Sequence, residues 1–235
     1  MNESNLSKRL LQVAEQIPMG SRLADIGSDH AYLPCYALKN GMITSAIAGE
    51  VNHGPFQSAI EQVKKLNYQE QITVRKGNGL EVVNKGEVDV ITIAGMGGPL
   101  IASILEAGKE KLGDIKRLIL QPNVAANQIR VWLETNSWYL INEVILEEDG
   151  IIYEILTAEK CGESPYSEDN YQLELLLGPL LMEQRSDIFV KKWTTELNEW
   201  RKIVSQFDKA KQTEEVLMKK QELLMKIKRV EEVLQ

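Results

Sequence analysis

The chain has 235 residues, 43% of them apolar and 26% charged, the balance of a folded domain with room for an appendage. It has no run of eighteen apolar residues to span a membrane, and its two histidines and two cysteines are too scattered for a zinc site at any usual spacing. The net charge of −7 divides unevenly: residues 182–235 carry 12 basic against 10 acidic side chains, which leaves −9 on residues 1–181 and argues against a protein that merely coats nucleic acid.

The first residues, MNESNLSKRLLQ, are polar and amphipathic, without an apolar block and a small-residue cleavage site, so no secretory signal is expected. Cys35 and Cys161 supply no disulfide framework and suit a reducing compartment, the cytoplasm. From residue 22 onward, short branched apolar runs alternate with helical patterns, the signature of βαβ units around a parallel sheet. The first run is Arg22–Gly27 (RLADIG), followed by a helical stretch over about His30–Lys39. Ser45–Val51 (SAIAGEV) comes next, then a helix that opens near Pro55 and sets Phe56, Ala59, Ile60 and Val63 on one face. Further strands are predicted at Ile72–Lys76, Val88–Ala94 and Arg117–Gln121, with helices over about 98–111 and 124–136. Trp138–Glu148 and Ile151–Glu159 are strand-like runs separated by Asp149-Gly150, which predicts an antiparallel hairpin.

Five parallel strands with crossover helices and a terminal hairpin match the layout of the class I, Rossmann-like methyltransferase sheet. The predicted catalytic domain is therefore residues 1–160. A polar linker, CGESPYSEDN, opens the second domain, 161–235, which reads as helical. There Phe189, Trp193, Leu197, Trp200, Val204 and Phe207 recur at spacings of three and four. After a polar break at Asp208–Thr213, Val216, Leu223, Ile227, Val230 and Leu234 do the same. Two such helices predict an antiparallel, coiled-coil-like hairpin held by its paired stripes.

The chemistry-bearing residues cluster where strands end. Asp25, Gly27, Ser28, Asp29 and His30 lie where the first strand meets the first helix. Glycine permits a sharp turn there, and the acids suit a ligand with a cationic amino group and sulfonium, whereas a pyrophosphate would favour bare N–H groups. Of the usual methyltransferase pattern, Asp/Glu-x-Gly-x-Gly-x-Gly, only Asp25 and Gly27 match; Asp29 and Ala31 stand in for the later glycines. Glu50, beside Val51 and 23 residues beyond Gly27, has the spacing of an acid that receives ribose hydroxyls. Asn78-Gly79 follows the third strand, where adenine contacts are common in methyltransferases, and Ala94-Gly95-Met96-Gly97-Gly98 follows the fourth. Gln121-Pro122-Asn123 partly matches the motif with which many adenine methyltransferases hold the target base, without the stacking aromatic. Asn123 equally suits a helix cap, as does Asp29.

Together LSKRL (6–10), DIGSDHAYLP (25–34), AGEV (48–51), GNGL (77–80), AGMGG (94–98) and LQPN (120–123) resemble the bacterial tRNA adenine-N1-methyltransferases acting on adenine 22, over the whole chain. The resemblance implies S-adenosylmethionine as cofactor and tRNA as partner, with no metal. It implies transfer of the methyl group to adenine N1; because the product is a cation, Asp29, standing where the motif usually has glycine beside the expected donor site, is the candidate catalytic carboxylate. It also assigns Asp25, Gly27, Ser28, His30, Glu50, Val51, Asn78, Gly79, Ala94, Gly95 and Met96 to the cofactor, and Arg9, Tyr32, Gln121 and Asn123 to the substrate. A monomer is expected, with lysines and arginines of the helical hairpin meeting the RNA backbone. The residues by themselves leave open another RNA, a small-molecule substrate or a non-catalytic adaptor; a dehydrogenase is disfavoured because no G-x-G-x-x-G follows the first strand.

Overall fold

The computed structural model describes residues 5–209 and 213–235. The chain divides into two compact units, Met1–Pro165 and Tyr166–Gln235.

The first unit is built on one seven-stranded sheet: β1 (Ser21–Ile26), β2 (Ile43–Glu50), β3 (Ile72–Lys76), β4 (Val90–Gly97), β5 (Arg117–Val124), β6 (Tyr139–Glu148) and β7 (Ile151–Glu159), in the order β3-β2-β1-β4-β5-β7-β6. The first five run parallel, and β7 lies antiparallel between β5 and β6. The hairpin turn works because Asp149 (φ 52°) and Gly150 (φ 78°) both take the left-handed conformation that a two-residue loop of this twist requires. Leu23, Ile91, Ile93, Leu118, Ile119 and Leu120 are fully buried, as strands covered on both faces demand. β1 sits between β2 and β4, so connections leave it in both directions and a crevice opens at the carboxyl ends of β1 and β4.

Helices α1 (Lys8–Glu15), α2 (Tyr32–Lys39), α3 (His53–Lys65), α4 (Gly98–Ala107) and α5 (Ala126–Thr135) accompany this sheet. Helix α1 has no counterpart in the sequence prediction. Ser7 Oγ caps it by accepting from the Leu10 N–H (3.2 Å), and the Glu148 carboxylate accepts from the backbone N–H groups of Lys8 (2.5 Å) and Arg9 (3.4 Å). A carboxylate on these unpaired amides complements the positive end of the helix dipole, which anchors α1 to the hairpin.

Several boundaries differ from expectation. The helix predicted from His30 starts at Tyr32, because His30 (φ 55°) and Ala31 (φ 52°) are left-handed and interrupt it. The helix predicted over 98–111 ends at Ala107 and passes through Gly108 into a 3-10 turn, Lys109–Asp114. Strand β5 continues past Gln121 to Val124, so α5 opens only at Ala126.

The second unit holds α6 (Tyr171–Leu177), α7 (Pro179–Gln184), α8 (Asp187–Lys209) and α9 (Glu214–Leu234). The two short helices precede the expected hairpin; Gly178 (φ 92°) separates them and Pro179 opens α7, where its missing N–H costs nothing. Helices α8 and α9 pack antiparallel, with ion pairs Arg201–Glu231 and Asp208–Lys220, each 2.6 Å. Of the predicted stripes, Phe189, Trp193, Leu197, Ile227 and Val230 are buried. Part of the predicted polar break, residues 210–212, lies outside the described residues. Among the described residues no helix is long and apolar enough to cross a membrane, and no group of three His, Cys, Asp or Glu is placed to hold a metal.

Candidate active site

The turn after β1 is set by a shared acceptor: the backbone N–H groups of Gly27 and Ser28 both donate to the Gly49 carbonyl of β2, each at 2.9 Å. Gly27 takes φ +75°, a left-handed conformation that glycine adopts without strain, and the flexible end of Met96 packs where a Cβ would stand. The turn leaves Asp25 buried behind the loop and Asp29 exposed in front of it. Burial pushes the Asp25 carboxyl above its ordinary value; the Thr92 hydroxyl, donating to Oδ1 at 2.7 Å, pulls the other way. Glu50, at the end of β2, is 7% exposed and accepts the Asn52 N–H at 2.8 Å.

A cavity of about 440 Å³ lies at these strand ends. From β1 and its loop come Asp25, Gly27 and Asp29; from the end of β2 and the residue after it come Glu50 and Val51; from the end of β4 come Ala94, Gly95 and Met96; from α1 comes Arg9. Three carboxylates and one guanidinium thus face a single space, which suits a ligand bearing more positive than negative groups.

The remaining predicted residues fall elsewhere. Ser28 is buried beneath the loop. Asn78 and Gly79 line a neighbouring cavity of about 180 Å³ that shares Leu100 with the first, and the Asn78 N–H is held by the Glu81 carboxylate at 3.0 Å. His30 and Tyr32 stack on one another, centroids 5.2 Å apart and planes 14° apart, with His30 Nε2 3.4 Å from Asp29 Oδ1. Asp29 makes no capping bond: it lies in the 3-10 turn Asp29–Ala31, and neither that turn nor α2 has a side-chain cap. Asn123 does not cap a helix either. It lies within β5, and its Nδ2 donates to the Gly95 carbonyl at 2.8 Å.

Gln121 differs most from a base-gripping residue, because it has no exposed surface. Its Oε1 accepts from Gly95 N–H (2.9 Å) and from Arg9 Nη1, and its Nε2 donates to the Pro122 carbonyl at 2.8 Å. Pattern reading missed the cavity residues Leu10, Leu33, Asn52 and Leu100, and Tyr153, whose ring lies 5.3 Å below the Arg9 guanidinium. The leucines look like core in a sequence; Asn52 is flagged only by standing two residues past Glu50, and Tyr153 carries no local signal.

Residues 23–232 match the family model described as tRNA (adenine(22)-N(1))-methyltransferase. The chain is 52% identical to the tRNA (adenine(22)-N(1))-methyltransferase of Bacillus subtilis (strain 168) over 236 aligned positions, covering 100% of this chain and 99% of that one. The crystal structure of the B. subtilis M1A22 tRNA methyltransferase superposes with a TM-score of 0.94 at 50% identity, covering 99% and 100% of the two chains. Streptococcus pneumoniae Sp1610 in complex with S-adenosyl-L-methionine superposes with a TM-score of 0.87 at 42% identity, over 98% and 100%. With the strand order and the acid-lined crevice at the β1 and β4 ends in place, these matches assign the chain to the tRNA (adenine(22)-N(1))-methyltransferase family.

Proposed function

We infer that this chain transfers a methyl group from S-adenosylmethionine to N1 of adenine 22 in tRNA. The observation that carries the reading is the cavity at the carboxyl ends of β1, β2 and β4, where Asp25, Asp29 and Glu50 converge. Their charge fits a donor with an α-amino group and a sulfonium; when bound, that donor supplies an already activated methyl group.

The chain's own residues then have positioning and charge to provide. Glu50 would take the ribose hydroxyls, and Asp25 would hold the amino-acid portion together with the backbone of Gly27, Ala94 and Gly95. Asn78 and Gly79 border the adenine end. Adenine N1 is a neutral lone pair at pH 7 and needs no base; holding it in line with the methyl group lowers most of the barrier. Transfer would break the S–CH3 bond of the donor as the N1–CH3 bond forms, passing the positive charge from sulfur to the base, and Asp29 is the carboxylate that would stabilise it. Because N1 lies on the Watson–Crick edge, the target must be unpaired or extruded, and the stacked His30–Tyr32 pair borders the loop that would receive it. The helical unit carries the RNA backbone contacts, and the enzyme acts in the cytoplasm as a monomer.

The test is methyl transfer from labelled S-adenosylmethionine to unmodified tRNA transcripts, followed by nuclease digestion and mass spectrometry. 1-Methyladenosine mapping to position 22 is expected; donor binding without tRNA modification would sink the substrate assignment.

A further inference from the structure

Among the described residues lining the donor cavity, Arg9 is the single cation, set against Asp25, Asp29 and Glu50. Its guanidinium has no ion-pair partner among the described residues. It is held by neutral groups, the Gln121 carboxamide oxygen and the face of the Tyr153 ring. A guanidinium held by an amide oxygen and a ring face has no carboxylate bound to it and can take an anionic ligand.

Gln121 supplies the geometry. Fully buried, it binds Arg9 and the Gly95 N–H with one oxygen, while Asn123 Nδ2 takes the Gly95 carbonyl at 2.8 Å. The end of β4 is therefore tied to both Gln121 and Asn123 of β5, and the side chain from α1 to Gln121. Gly95, in the left-handed conformation at φ +79°, is pinned by both its peptide groups.

We propose that Arg9 is the oxyanion seat of the donor cavity and that Gln121 is its positioning residue, acting through Arg9 and Gly95 rather than on the target base. The oxyanion has two sources in the proposed reaction, the α-carboxylate of the donor and a phosphodiester of the tRNA. The proposal rests on the reading that the cavity holds S-adenosylmethionine.

The experiment compares the full-length wild type with Arg9→Met, Gln121→Met and the double variant. Calorimetry measures binding of S-adenosylmethionine and of its decarboxylated analogue, and steady-state kinetics on tRNA are run across a salt series. Loss of a charge-assisted contact is expected to weaken the ligand about 10- to 100-fold in Arg9→Met. If the seat holds the carboxylate, wild type prefers S-adenosylmethionine over the decarboxylated analogue and Arg9→Met loses that preference. If it holds a phosphate, donor affinity is unchanged, KM for tRNA rises and its salt slope falls by about one. In either case the loss in the double variant falls short of the sum of the two single losses, because Gln121 works in part through Arg9 and in part through Gly95.

Gln121→Glu covers the possibility that Gln121→Met folds poorly. Its carboxylate still accepts from Gly95 and Arg9 but loses the bond that Nε2 gives the Pro122 carbonyl, so circular dichroism is run beside the binding assay to show that the fold is kept. It also neutralises Arg9, so affinity falls to the Arg9→Met level. Additive effects of the two Met variants, wild-type affinity in Gln121→Glu, or no change in either ligand on Arg9→Met would each overturn the proposal. A wild type that binds the donor but modifies no tRNA would refute the substrate reading alone and leave the carboxylate arm of this test intact.

Discussion

Asp25 and Asp29 sit four residues apart and meet opposite conditions, and their expected variant phenotypes differ accordingly. Asp25 is buried, and burial raises its pKa above the ordinary 3.8. An acid whose folded pKa exceeds its unfolded one destabilises the fold when ionised. That cost is absent below the unfolded pKa and complete above the folded one. Asp25→Asn should therefore leave Tm at pH 7 unchanged or higher while weakening S-adenosylmethionine strongly, as thermal melts and calorimetry would show. In wild type, donor affinity should begin to fall, on acidification, at a pH above 3.8, because the ionised carboxylate is the binding form; a flat profile across that range would count against Asp25 as a donor contact. Asp29, with a side chain 67% exposed, has little folding role to lose. Asp29→Ala is expected to keep donor affinity within about twofold and to lower kcat by about 100-fold or more, the scale of one preorganised electrostatic contact. Near-normal kcat would remove it from the mechanism.

At the scale of elements, the joint between α5 and the terminal hairpin is a buried ionic cluster. Arg130 is completely buried; its Nε donates to Glu143 Oε1 at 2.8 Å and its Nη2 to Glu154 Oε2 at 2.5 Å. Removing the cation leaves two buried carboxylates without their partner, so Arg130→Met should cost about 3–5 kcal/mol, readable in urea unfolding. Replacing Arg130, Glu143 and Glu154 together with apolar residues should recover most of that loss. This cluster was illegible in the sequence, since nothing local pairs Arg130 with acids 13 and 24 residues away. The strands and the Asp149-Gly150 hairpin were legible because period, length and turn chemistry are local properties. Helix α1 was not, because its anchor is Glu148, far along the chain. Two features of the site depend on packing that no local pattern shows. His30 and Ala31 hold left-handed conformations at a place where the usual motif has glycine, and only the surrounding packing imposes them. Gln121 and Asn123 have the residue types of a base-binding motif, but the fold uses their amides to fix Gly95 and Arg9.

On the scale of the whole molecule, charge and architecture divide the labour. The donor cavity is complete within the first unit: every residue lining it lies between Arg9 and Leu100, and the sheet that carries it ends at Glu159. Among the described residues the second unit contributes no strand and no residue to that cavity, and residues 166–235 carry 12 basic against 13 acidic side chains, a net −1, beside −6 on residues 1–165. An RNA approaching the acidic unit alone meets repulsion, since affinity for a polyanion rests on cations that release its counterions. Truncation after Pro165 is therefore expected to leave S-adenosylmethionine affinity within about threefold of wild type while raising KM for tRNA by at least about tenfold, a loss near 1.4 kcal/mol. Calorimetry for the donor and electrophoretic mobility shift for tRNA separate the two effects. A truncated chain that still bound tRNA at full strength would place the RNA surface on the catalytic unit and leave the helical one without that role. Loss of donor affinity instead would mean that the sheet depends on the helices for its fold, and circular dichroism of the truncated chain would show it.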